Sequence, residues 1–158
     1  MPVIVLTPAQ MASIADAAEA AFPAEGCGLL VGTGRRTITV TRLVAAKNLL
    51  AGDGPDRFEL DPSIHIRMEC DLRGTPERIV GHWHSHPDGT AQPSATDLAM
   101  AWEPDLVWLI VGVAASCSGG GQVVQALAHR LDCEAGRSHP VPLRIAQNNA
   151  CKGPGFPT

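Results

Sequence analysis

None of the five cysteines in this 158-residue sequence stands in a Cys-x-x-Cys pair. They fall at positions 27, 70, 117, 133 and 151, an odd and scattered set that argues against a disulfide framework and against a cysteine-built zinc knuckle. The sequence also lacks any block of Lys or Arg. Its 12 basic and 16 acidic side chains leave a net charge of −4, so nothing points to a nucleic-acid surface. No apolar run reaches the length that spans a bilayer. The apolar start Met1-Pro2-Val3-Ile4-Val5-Leu6 has neither the basic flank nor the cleavage site of a secretory leader, which makes cytoplasmic residence the expectation. Two zinc-enzyme signatures are missing as well. There is no His-Glu-x-x-His, and no His-x-Glu with Pro-Cys-x-x-Cys of the kind a nucleoside deaminase requires.

What is present is a globular composition, 45% hydrophobic and 18% charged, long enough for one domain with a real core and too short for two. Residues 1–147 read as that domain and 148–158 as a frayed tail. Ile4 to Leu6 reads as a short strand. Thr7-Pro8-Ala9-Gln10 is a capping box with proline at the first helical position. Met11, Ile14, Ala15, Ala18 and Phe22 then recur at helical spacing up to Pro23. Glu25 opens a strand in which Gly26, Gly28, Gly32 and Gly34 suggest close backbone approach followed by a turn. Thr37 to Thr41 alternates as a half-buried strand. Asn48 to Pro55 is a loop and Arg57 to Leu60 a short strand, after which Asp61-Pro62 caps a helix through Ile64, Met68 and Leu72 to Gly74. Ala95 to Trp102 is expected as a short helix and Leu106 to Val113 as a strand buried on both faces. Gln122 to Leu131 returns as a strand after a Ser/Gly turn, and Pro140 to Ile145 adds a final edge strand. Cys27 and Cys117 fall in apolar strand contexts and read as small buried hydrophobes. The same setting disfavours Cys27 as a nucleophile. The fold class is α/β, a central mixed sheet flanked by about three helices.

The chemistry concentrates between Gly81 and Asp97, in Gly-His-Trp-His-Ser-His-Pro-Asp-Gly-Thr-Ala-Gln-Pro-Ser-Ala-Thr-Asp. Arg78-Ile79-Val80 is a β-prone run, so His84 and His86 sit at the end of a strand and, two residues apart, point to one face. Pro87 ends the strand where they converge. Ser94-Ala95-Thr96-Asp97 reads as a helix start with Ser94 as N-cap, and that start directs the Asp97 carboxylate. Two imidazole nitrogens and one carboxylate oxygen leave one tetrahedral position for water, the mark of a catalytic zinc site as opposed to a closed structural one. His82 shares the parity of His84 and His86. It is a candidate for lining the cleft or for a hydrogen bond behind the ligands, because a fourth protein ligand would close the site. His65, His129 and His139 carry no spacing signal. Trp83 and Trp108 read as core.

The pattern His84-x-His86-Pro87, six residues, Ser94-x-x-Asp97, resembles the JAMM (MPN+, also called JAB) metalloprotease family. That family has a separate upstream glutamate in a strand ending Gly-Leu-Leu-x-Gly, and here Glu25-Gly26-Cys27-Gly28-Leu29-Leu30-Val31-Gly32 matches it. The match runs from about Glu25 to Val113. The resemblance implies a single-domain JAB/MPN fold with a curved mixed sheet, and one zinc per chain on His84, His86 and Asp97. It also implies Glu25 as the proton carrier and Ser94 as a donor to the developing oxyanion. Those roles suit the residue types: zinc lowers the pKa of its water toward ~7, and a nearby carboxylate can move the proton.

The resemblance also implies hydrolysis of an amide or isopeptide bond after the C-terminal tail of ubiquitin or a ubiquitin-like β-grasp protein. The compact chain is similar to prokaryotic members that trim sulfur-carrier proteins, not to the long-insert deubiquitinating members. Phage-tail and cell-wall-associated peptidases share the domain and form a second substrate class. Non-catalytic MPN scaffolds are the rival of another kind, and the retention of every ligand weighs against them. An extended tail is expected to lie beside an exposed strand as an added β-strand.

Overall fold

The computed structural model describes residues 1–52 and 59–147. Arg57 and Phe58 of the strand expected at Arg57 to Leu60 lie outside them, as does the tail expected from 148, and Leu60 forms an isolated bridge with Asn48. Eleven elements follow one another: β1 (Val3–Leu6), α1 (Pro8–Ala21), β2 (Cys27–Thr33), β3 (Thr37–Ala45), α2 (Pro62–Leu72), β4 (Arg78–His86), α3 (Ala95–Ala99), β5 (Val107–Ala115), β6 (Gly121–Asp132), β7 (Arg137–Val141) and β8 (Leu143–Ile145). The strands form one eight-stranded mixed sheet in the order β7-β6-β5-β4-β2-β3-β1-β8, with β4 parallel to β5 and β1 parallel to both β3 and β8. Among the described residues no helix is long and apolar enough to cross a membrane.

The sequence accounts for how the helices seat. Thr7 Oγ1 accepts from Gln10 N at 3.1 Å and Gln10 Oε1 accepts from Thr7 N at 2.9 Å, the reciprocal bonds of the capping box. The apolar stripe of α1 then buries Ile14 and Ala18 among Leu30, Val80 and Leu109 on one face of the sheet. On the other face α2 packs Met68 and Leu72 against Leu29, Val31 and Ile79. β2, β4 and β5 are therefore covered on both sides, and their burial is almost continuous where a half-exposed strand would alternate.

Several expectations need correction. The C-terminal stretch is two short strands, not one edge strand. β7 pairs with β6 at one edge of the sheet and β8 with β1 at the other, with only Pro142 between them. Pro142 has no N–H for a ladder, but its carbonyl accepts from Ile4 N at 3.0 Å. The chain can step between the two edges in one residue because the sheet curls until it nearly closes. α3 stops at Ala99 and not at Trp102. Met100 N already reaches back to Thr96 O and Asp97 O, and Pro104 two residues past Trp102 cannot extend a helix. Cys117 lies past the end of β5 in an exposed turn, so it is not a buried strand residue. β2 begins at Cys27, leaving Glu25 just ahead of the strand.

One glycine positions the loop that follows β4. A Cβ on Gly112 would lie 2.3 Å from Gly89 O, so the loop can lie directly on β5 only because residue 112 has no side chain. Gly112→Ala should cost about 1–3 kcal/mol of stability through overpacking, read in urea unfolding. An unchanged midpoint would mean that the loop does not rest there.

Candidate metal centre

β4 delivers two histidines to one spot. His84 lies opposite Cys27 on β2 and beside Ile110 on β5, while His86 lies beside Gly112. Both rings are buried on the same face, with His84 Nε2 and His86 Nε2 3.1 Å apart. α3 delivers the third group. Ser94 Oγ accepts from Asp97 N at 3.0 Å, and Asp97 Oδ2 accepts from Ser94 N at 2.8 Å. This capping box turns the Asp97 carboxylate inward, with Oδ1 3.1 Å from His84 Nε2 and Oδ2 3.1 Å from His86 Nε2. Glu25 is 5% exposed and brings Oε1 to 3.8 Å from His86 Nε2. Donor atoms of Glu25, His84 and His86 all lie within 4.8 Å of one another.

The fit to a small cation can be tested on these separations. Ligand atoms about 2.0–2.1 Å from a tetrahedral zinc lie roughly 3.3 Å apart. The two imidazole nitrogens and the Asp97 oxygens stand at 3.1 Å. The donor set is two nitrogens and one hard oxygen, with a second carboxylate at the rim, and the residues present fit zinc.

Electrostatics agree with that chemistry. Burial pushes the His84 pKa down, against the hydrogen bond and charge of Asp97, and so favours the neutral ring, the form that can ligate a metal. At His86 burial also opposes charge, but the hydrogen bond to Asp97 and the charges of Asp97, Glu25 and Asp88 outweigh it and raise the pKa. Asp97 meets the same burial. Its hydrogen bonds to His84 and His86 outweigh the penalty and hold the carboxyl far below the usual range. A pocket that attracts a proton to His86 this way also attracts a cation. Burial, reinforced by the Glu25 charge, pushes the Cys27 thiol up to about 12, so Cys27 stays a thiol at neutral pH.

His82 stays half-buried on the floor of the cleft, its ring centroid 4.2 Å from that of Trp108 and 5.9 Å from that of His84. Burial brings its pKa down to about 3 and keeps it neutral. Trp108 belongs to the core, yet its ring also packs edge-on against His82 and His84 and so forms a wall of the site. From Glu25 and Asp97 the cleft runs over Leu60, Pro62 and Met100 towards Trp102, which is 75% exposed. Ser94 is exposed as the N-cap of α3, three residues before Asp97, with its hydroxyl hydrogen still free to be donated.

Three contributors have no motif to announce them. His129 is buried on β6 and donates Nε2–H to Ala91 O at 2.8 Å, tying down the loop that leads to Ser94. Ser85 and Asn48 both bond to the backbone beside Glu25. The only sequence signal for Ser85 is its place between two histidines, and Asn48 carries none.

The family model described as prokaryotic homologs of the JAB domain matches residues 7–126, which include Glu25, His84, His86, Ser94 and Asp97. The chain belongs to the prokaryotic JAB family. Among its relatives, Desampylase from Haloferax volcanii is 34% identical over 102 residues, covering 64% of this chain and 67% of the relative. Tail tip assembly protein K of Escherichia phage N15 is 37% identical over 94 residues, which are 60% of this chain but only 35% of the phage protein. The JAB fold is also shared with two proteins solved in solution. One, from Desulfitobacterium hafniense, has a TM-score of 0.73 and 27% identity over 92% of this chain and 94% of its own. The other, from Salinibacter ruber, has a TM-score of 0.63 and 27% identity over 96% and 95%.

Proposed function

We propose that this JAB-family chain is a zinc-dependent peptidase that cleaves an amide or isopeptide bond at the C-terminal tail of a ubiquitin-like protein, of the compact sulfur-carrier type. The observation that carries the reading is the buried triangle of His84, His86 and Asp97 with the Glu25 carboxylate at its rim. The resemblance to a desampylase supports the substrate class.

In this reading His84, His86 and Asp97 hold zinc, which supplies Lewis acidity to a water and to the scissile carbonyl. Glu25, in a nearly dry setting, takes the proton of the attacking water and passes it to the leaving amine. Ser94 donates its hydroxyl to the carbonyl oxygen as charge develops there. Trp108, Leu60 and Pro62 exclude water around the bond. Among the described residues β2 and β4 each have two strand neighbours.

Ser94→Ala should lower turnover by about 10²–10³-fold, the usual size for one oxyanion donor, and stability by ~1 kcal/mol through the lost cap. A stability loss alone would make Ser94 a cap and nothing more. The activity itself is tested on ubiquitin-like proteins bearing C-terminal extensions, with product masses giving the bond cut. Cleavage of cell-wall peptides in their place would favour the second reading, a phage-tail or cell-wall-associated peptidase.

A further inference from the structure

We propose that Asn48 and Ser85 clamp the peptide unit between Glu25 and Gly26 from both sides, and that this clamp fixes the direction of the Glu25 carboxylate. The inference rests on Glu25 as the proton carrier.

The carbonyl of that unit, Glu25 O, accepts from Asn48 Nδ2 at 2.9 Å. Its N–H, on Gly26, donates to Ser85 Oγ at 2.8 Å. Glu25 lies ahead of β2, and two side chains hold this peptide plane. The residue after the base is glycine, whose backbone rotates more freely than any other. Left unheld, the plane would let Glu25 swing on a swivel. Pinning both of its polar atoms fixes ψ of Glu25 and φ of Gly26, and with them the direction in which the Glu25 side chain leaves the backbone.

Each clamp arm reaches a second feature of the site. Ser85 is 1% exposed and stands between His84 and His86, so the strand end that orients the metal-facing rings also orients the base. It donates its own N–H to Gly26 O at 3.0 Å as well. Asn48 Oδ1 accepts from Leu50 N and Glu59 N, both at 3.0 Å. Glu59 borders Leu60 and Pro62 on the cleft rim. One amide side chain thus connects the rim that meets substrate to the peptide that carries the base. Asn48 and Ser85 are positioning residues.

The test compares Ser85→Ala, Asn48→Ala and Asn48→Asp, each zinc-loaded, with the unaltered chain. Asn48→Asp retains acceptor oxygens for Leu50 N and Glu59 N but has no hydrogen to offer Glu25 O. On a ubiquitin-like protein with a C-terminal extension, kcat should fall about 10–100-fold in all three, with KM and zinc content within about twofold. A second readout needs no turnover. By NMR, the Glu25 β-proton couplings should report one χ1 rotamer in the unaltered chain and averaged rotamers in the variants. Gly26 N–H should exchange at least about tenfold faster in Ser85→Ala while β2 amides stay protected. Unchanged couplings in Asn48→Asp and Ser85→Ala would overturn the clamp whatever the activity. An unaltered chain that hydrolyses nothing would instead overturn the peptidase reading, and the couplings would still decide the clamp.

Discussion

Asp97→Asn and His84→Ala should both purify without zinc and without hydrolytic activity, while the unaltered chain carries about one zinc. The two variants fail for different reasons, and stability separates them. His84 is completely buried, so His84→Ala leaves a void and strands the Asp97 carboxylate without one of its two histidine partners. Leaving a buried carboxylate short of a hydrogen-bond partner costs about 1–3 kcal/mol or more, the void adds to that, and a lower Tm is expected along with the lost metal. Asn at position 97 keeps an oxygen for Ser94 N, so the α3 cap survives. Its charge is gone, and with it the main attraction for a cation and for the proton on His86. Asp97→Asn should therefore lose zinc with a smaller drop in Tm than His84→Ala. Metal analysis and thermal unfolding read both. Zinc retained in Asp97→Asn would remove Asp97 from the ligand set. In the unaltered chain, zinc must compete with the proton that the surrounding carboxylates favour on His86. Zinc affinity should accordingly fall as pH falls through the raised His86 pKa and recover above it.

Glu25→Gln and Glu25→Ala are expected to behave in the opposite way, retaining zinc while losing turnover by about 10²–10⁴-fold, the usual contribution of a positioned acid–base group. Glu25 Oε1 stands 3.8 Å from His86 Nε2, farther than the 3.1 Å at which the Asp97 oxygens stand from the rings. That offset suits a group that handles a proton beside the metal more than one that binds it. Zinc content by mass spectrometry under native conditions, paired with single-turnover rates, decides the matter. Loss of zinc in Glu25→Gln would make Glu25 a ligand. Normal turnover would end its assignment as the base.

How much of this was legible in the sequence depends on how far apart the interacting groups lie along the chain. His84, His86, Ser94 and Asp97 fall within one strand, one loop and one helix start, so strand parity and capping chemistry bring them together. Glu25 was legible only through the family resemblance, because a lone glutamate before a glycine-rich strand carries no spacing of its own. The bonds of Ser85 and Asn48 to the Glu25–Gly26 peptide join residues 59 and 23 positions apart, and nothing local encodes them. The same holds for His129 and Ala91, 38 positions apart. In the fold, the long two-faced strand β5 was plain from its apolar run. The division of the C-terminal stretch was not, since Pro140 to Ile145 reads as one extended piece until the curvature of the sheet is known.

The step at Pro142 sets an order of assembly. β1 enters the sheet between β3 and β8, and its pairing of Ile4 with Leu143 joins residues from nearly opposite ends of the described chain. A nascent chain leaving the ribosome can build β2, β4 and β5, and with them the metal-facing cluster, well before Leu143 emerges. Until then one side of β1 has unpaired backbone groups, the kind of strand edge that invites pairing with another chain. The last strand of the described residues thus closes against the first, and the interval before it arrives leaves the β1 edge open to misassembly.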